Sequence, residues 1–216
     1  MRSSSRPAGK LSAKEICTLA LIGALLFAAK AALASLPNVN LNAVIIILAT
    51  VFFGWRALYS VGIYVMLEGL VFGGNGYMLW WFGYLYTWPL LVAICMAFRR
   101  NDSAFVWAVI AAVFGLVFGP LMYLEYFAIN GGWEMFFAMW VSGIPYDLIH
   151  CVGNFVFTLV LYKPLYRVME KFLGSPEGRE TQKTEQADTE RKKSAVKPAL
   201  FFLFQSVIGT CSVSIR

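Results

Sequence analysis

The sequence predicts an all-α integral membrane protein: a six-transmembrane-helix bundle with both termini cytoplasmic. Three observations carry that prediction. The 216-residue chain is 59% hydrophobic and 14% charged, with a mean hydropathy of +0.66, whereas soluble domains run at about 45–50% apolar and about 25% charged. Six apolar runs approach or reach the roughly 20 residues that span a bilayer. The Lys and Arg residues occupy alternate connections between those runs and are missing from the others.

Residues 15–35 form the first run, entered from a segment holding Arg2, Arg6, Lys10 and Lys14 and closed by LPNVN (36–40). Residues 39–54 form the second, and GWR (54–56) turns the chain into the third, 57–73. GGNG (73–76) leads to the fourth, 77–98, and RRND (99–102) to the fifth, 104–124. NGGWE (130–134) precedes the sixth, 140–162, which Lys163, Arg167 and Lys171 follow. Each break carries Gly, Pro, Asn or charge, the residues that end helices. Arg56, Arg99 and Arg100 share a side with both termini, and the positive-inside rule makes that side cytoplasmic. No signal peptide is read, because a polar turn and a second apolar run follow the first.

The domain plan is a basic cytoplasmic N-terminus (1–14), a membrane domain (15–173), a charged linker (174–198) and an apolar C-terminal extension (199–216) to which no role is assigned. The linker is charged, almost free of aromatics and aperiodic, which predicts disorder. Cys17, Cys95, Cys151 and Cys211 have no CxxC spacing and no ligand-like His, so neither a disulfide framework nor a metal site is read, and no cofactor is called for. The net charge of +6 by itself assigns no partner, and no nucleic-acid partner is implied.

Polar groups inside the apolar runs are the informative exceptions. Each ionisable group costs about 2.5–3.5 kcal/mol at a membrane helix centre, so such groups face a protein interior. Under the topology above, Lys30 lies late in the first helix and Glu68 late in the third, both rising outward. Trp81 and Tyr84 begin the fourth, and Asp147, His150 and Asn154 lie early in the sixth, both descending. Asn38, Asn40 and Asn42 sit just above, at the start of the second. All converge on the outer half of the membrane and predict a polar pocket opening outward.

Helical spacing supports this. Gly143, Asp147, His150 and Asn154 share a stripe that Thr158 extends; Ser60, Tyr64 and Glu68 are spaced by four; Tyr77, Trp81, Tyr84 and Trp88 form an aromatic face. Aromatic walls opposite a few polar groups suit a small heterocyclic ligand. Plainer roles compete. Pro145 suits the first position of the sixth helix, where Asp147 complements the positive helix end. His150 also fits as an interhelical hydrogen-bond partner. Lys30 and Glu68 can neutralise each other, and Tyr77, Trp80 and Trp81 fit an interfacial belt. Glu125 and Glu134 are placed near the outer surface, in water. In the first helix Ala20, Ala24, Ala28 and Ala32 form a small-residue ridge that lets another helix approach closely; Gly115 and Gly119 form a GxxxG in the fifth.

LPNVN, LWWFGYLYTWP and SGIPYDLIHCVGN, on this six-helix frame with its alanine ridge, resemble the substrate-binding S components of energy-coupling factor (ECF) vitamin transporters over residues 12–172. The resemblance implies a vitamin or vitamin-precursor ligand bound in the outer half of the membrane, and association with a membrane coupling subunit and two cytoplasmic ATPases. It assigns Ala20, Ala24 and Ala28 to the coupling subunit. Glu68, Trp81, Tyr84, Asp147, His150 and Asn154 are its ligand candidates, beside Lys30, Asn38 and Asn40 from the depth argument. The chain holds no GxxxxGK[ST] phosphate loop, so ATP hydrolysis falls to partners. No nucleophile–base pairing suggests an enzyme. An autonomous proton-coupled carrier using Glu68, Asp147 and His150 is the alternative, and an intramembrane enzyme using the Asp–His pair stands behind it. With Lys30, Glu68 and Asp147 ionised and His150 neutral, the pocket carries −1, which favours a neutral or cationic heterocycle.

Overall fold

In the computed structural model the described residues are 11–35, 40–72, 78–130 and 132–176, with 185 and 188 as isolated positions. Among them every regular element is helical: α1 (Ala13–Ala32), α2 (Asn42–Phe53), α3 (Ala57–Phe72), α4 (Met78–Ala97), α5 (Ala104–Asn130) and α6 (Gly132–Leu173), with a 3-10 turn at Gly54–Arg56. Ala13–Leu173 forms one compact unit. Asn38, Tyr77, the GGNG turn, most of the charged linker and the apolar C-terminal stretch lie outside the described residues.

Among the described residues, four stretches are long and apolar enough to cross a membrane: Ala13–Ala32, Asn42–Phe72, Ala104–Glu125 and Gly132–Leu173; Trp81–Ala97 is a shorter apolar helix. Asn42–Phe72 is not one straight rod. Gly54 ends α2 at φ 61° and ψ −140°, a conformation that a side chain would oppose. The Arg99 guanidinium crosses this bend, and its Nε donates to the Val51 carbonyl at 3.1 Å. That bond satisfies a carbonyl near the helix end and ties α2 to the end of α4.

Contacts along the helices fix their directions. Glu15 pairs with Arg56 at 3.0 Å, the Ser60 hydroxyl donates to the Leu19 carbonyl at 2.8 Å, and Lys30 meets Glu68 at 2.7 Å. So α1 and α3 run side by side in the same direction. A Cβ on Gly23 would sit 2.8 Å from Ile63 Cβ, so that glycine sets how close the two helices lie. Asn40 meets His150 and Phe52 meets Tyr166, which makes α2 parallel to α6. Trp107–Tyr162, Ala111–Asn154, Gly119–Asp147 and Phe127–Trp133 make α5 and α6 an antiparallel hairpin. Trp81 with Val65, and Trp88 with Phe114 and Phe118, set α4 antiparallel to both α3 and α5. Thus α1, α3 and α5 run one way and α2, α4 and α6 the other.

The alternation gathers the basic segments at one end. Lys14 donates to the Phe172 carbonyl, Lys163 to the Asp102 carbonyl, and the Arg56–Glu15 and Arg99–Val51 contacts lie at the same end. All of α2 except Ile45 is buried, which makes it the central strut, whereas α1 buries only Leu19, Gly23 and Leu26.

Two expectations change. The sixth helix does not begin near residue 140 with Pro145 in its first turn; α6 starts at Gly132 and contains Pro145 and Pro164. Only residue 131 separates it from α5, because the apolar aromatic run after Gly132 continues the helix through the proline, as packed membrane helices permit. At 1.5 Å per residue its 42 residues reach about 63 Å, twice a hydrocarbon core. Asp147 therefore sits fifteen residues inside, far from any helix end, and its tolerance has to come from tertiary contacts. The second change concerns Glu125, which is buried within α5, whereas Glu134 is exposed.

Candidate functional site

The side chains expected at one depth meet there, in two clusters joined by aromatic rings. In the first, Lys30 Nζ lies 2.7 Å from Glu68 Oε2 and donates to Tyr84 Oη at 2.9 Å. The spacing of Ser60, Tyr64 and Glu68 turns all three inward on α3, and all are buried. Lys30 comes from the last turn of α1 and keeps 22% exposure, against 2% for Glu68. The pair is thus open on one side. The Lys30 ammonium also lies 4.6 Å from the centroid of the Tyr84 ring, within cation–π range. Glu68 Oε1 has no hydrogen-bond partner among the described residues.

The second cluster lies on α6. Gly143, Asp147, His150, Asn154, Thr158 and Tyr162 form its buried stripe. Asn40, just before α2, meets His150 Nε2 through its amide nitrogen at 3.1 Å. With that amide donating, Nε2 accepts and the imidazole proton sits on Nδ1, which has no partner among the described residues. Asp147 Oδ1 accepts the Gly119 N–H at 3.1 Å, and Asn154 Nδ2 donates to the Ala111 carbonyl at 3.2 Å. Asp147 Oδ2 and Asn154 Oδ1 are left without partners among the described residues.

The GxxxG of α5 explains how these groups fit. A Cβ on Gly115 would lie 2.8 Å from the His150 carbonyl oxygen and 2.9 Å from Asn154 Nδ2; one on Gly119 would overlap the Asp147 carboxylate. The two glycines leave the groove into which the polar stripe of α6 settles.

Tyr84, Trp88 and Phe118 join the clusters. Tyr84 is 6.3 Å from Phe118 and 6.0 Å from Trp88, and Trp88 is 5.3 Å from Phe118. Phe118 meets the His150 ring edge-on at 4.7 Å. Trp88 Nε1 is buried with no partner among the described residues. The arrangement is a wall of ring faces with polar groups at either end, several keeping an unused donor or acceptor. Unsatisfied buried polar atoms are costly, and several of those left here lie on side chains around the ring cluster.

Not every predicted residue joins on the same terms. The Trp81 indole N–H donates to the Val65 carbonyl at 2.7 Å, and its ring covers Gly69, so this residue clamps α4 to α3. Asn38 lies outside the described residues. Ala20, Ala24 and Ala28 fall apart from the site, with Ala24 and Ala28 exposed on the outer side of α1. Sequence reading missed Trp88 as a polar group, and it placed Asn42 just above the pocket without making it a ligand candidate; Asn42 is fully buried, with both amide atoms unpartnered among the described residues. Glu125 is the larger miss. Phe114, Phe118, Met122 and Glu125 are all buried, and that spacing of four, four and three was the signal in the sequence that could have found it.

No family model matches the chain, and neither a curated protein nor a solved structure matches it.

Proposed function

We propose that the protein is the substrate-binding S component of an ECF-type ABC importer. On this reading it captures a vitamin or vitamin-precursor in the outer half of the cell membrane. Six spans cross that membrane with both termini inside, and a coupling subunit with two cytoplasmic ATPases drives delivery. One observation carries the reading: Lys30, Asn40, Glu68, Tyr84, Asp147 and His150, drawn from α1, α3, α4 and α6 and the segment before α2, gather around one aromatic wall with unused hydrogen-bonding atoms. The concentration of basic contacts at the opposite end supports the orientation, since that end is cytoplasmic by the positive-inside rule. The exposed Ala24–Ala28 face supports a packing partner for α1.

Mass spectrometry of small molecules that co-purify with the detergent-solubilised chain tests this directly. A stoichiometric vitamin-like molecule, together with proteoliposome uptake that requires ATPase partners, is the expected result. Uptake by the chain alone that collapses with the proton gradient assigns an autonomous carrier instead.

A further inference from the structure

We infer that the outer site takes a small organic cation, bearing an ammonium or a positively charged ring, and that Glu125 is one of the groups that select it. The inference rests on the binder reading above and adds the charge class of the ligand.

Three carboxylates are buried at this level: Glu68 at 2%, Asp147 at 4% and Glu125 at 7% exposure. Lys30 pairs with the first, while no ion pair among the described residues serves Asp147 or Glu125. Ionised together with Glu68, they would outweigh Lys30 by two charges beside a neutral imidazole, a state that burial opposes unless a counter-charge enters the site. The Glu125 carboxylate lies against the Gly83 backbone N–H and has no side-chain hydrogen-bond partner among the described residues. A Cβ on Gly83 would overlap the Met122 thioether and stand 3.3 Å from Glu125 Oε2, so the bare Gly83 lets α5 bring both side chains against α4.

The second observation is independent of these charges. Tyr84, Trp88 and Phe118 present ring faces between the carboxylates, and the Tyr84 face already holds the Lys30 ammonium at 4.6 Å. Asp147 Oδ2, on a residue at 4% exposure, is an acceptor left unpartnered among the described residues at this site. Ring faces backed by carboxylates are the chemistry that recognises organic cations. A bound cation supplies the counter-charge that lets these buried carboxyls ionise; a neutral ligand does not, and an anion opposes it.

The test uses the full chain in detergent and follows tryptophan fluorescence on titration with phenyltrimethylammonium, its uncharged shape-mate tert-butylbenzene, and benzoate. Saturable binding of the cation alone is expected, weakened at least tenfold by Glu125→Gln and by Asp147→Asn. Both substitutions keep side-chain shape, and the second supplies the reading if the first does not fold. Equal binding of the cation and its uncharged mate, no binding of the cation, or cation affinity unchanged in both variants overturns the inference. The co-purification experiment separates this failure from that of the binder reading. A stoichiometric neutral or anionic ligand refutes the charge class and leaves the binder standing; a chain that holds no small molecule of any charge counts against both.

Discussion

Gly115→Ala is the sharpest test of how α5 and α6 fit together. The added Cβ would meet the His150 carbonyl oxygen at 2.8 Å and Asn154 Nδ2 at 2.9 Å, so the interface must open by about 0.6 Å to reach ordinary contact at 3.4 Å. One of the obstacles is backbone and cannot rotate away. The Asn154–Ala111 bond already measures 3.2 Å, and an opening of that size breaks it, at about 0.6 kcal/mol for an interhelical bond in a membrane. Overpacking adds about 1–3 kcal/mol, and the better helix propensity of alanine returns about 1 kcal/mol. The net is a loss of about 1–3 kcal/mol, or a melting shift of about 2–4 °C for each kcal/mol in a chain of this size. The control is Gly153→Ala, on the same hairpin, where a Cβ meets nothing within 4 Å and the propensity gain stands alone. A thiol-reactive dye reports unfolding through Cys95, which is fully buried, while the exposed Cys17 reacts before the transition. If Gly115→Ala melts with Gly153→Ala, the close approach of α5 to the polar stripe is not what holds the hairpin, and the account of Asp147 and Asn154 fails with it.

Three further outcomes are expected. Lys30→Met strands the buried Glu68 carboxylate and costs about 2–3 kcal/mol, less than the 3–5 of a fully buried pair because Lys30 keeps 22% exposure; adding Glu68→Leu recovers most of the loss, and a double variant no more stable than the single refutes the counter-ion role. Trp81→Phe loses the bond to the Val65 carbonyl and about 1 kcal/mol of stability, yet keeps ligand affinity within about threefold, as befits a clamp between helices, so a tenfold loss of affinity returns Trp81 to the binding wall. His150→Ala removes the Nδ1–H and the edge contact to Phe118, and weakens binding by about tenfold, 1.4 kcal/mol, with expression intact; unchanged affinity moves the ligand away from α6.

Composition and punctuation were enough to read a helical chain that is too apolar for water, because both signals are local. A run of apolar residues selects the bilayer, and Gly, Pro, Asn and charge stop helices wherever they occur. The buried faces of α3 and α6 were legible for the same reason, since a period of 3.6 puts Ser60, Tyr64 and Glu68, or Asp147, His150 and Asn154, on one side whatever packs against them. Even the pairing of Lys30 with Glu68 was open to a depth argument, which needs only the count of residues from the membrane surface.

The tertiary structure decided everything that depends on which helix stands beside which. Trp81 turned its indole N–H to a carbonyl of α3 and became a clamp. Gly115 and Gly119, a weak motif in isolation, became the groove for the α6 stripe. Pro145 lost its place at a helix start because neighbouring helices in a packed bundle stabilise a helix that passes through it. Glu125 changed most. On the chain it follows an apolar run and reads as a solvated residue near the outer surface; in the bundle α5 continues past it, and the bare Gly83 lets α5 bring its carboxylate against α4. Periodicity tells which way a side chain points, but a charge is buried or solvated according to the neighbour it points at, and that neighbour comes from a distant part of the chain.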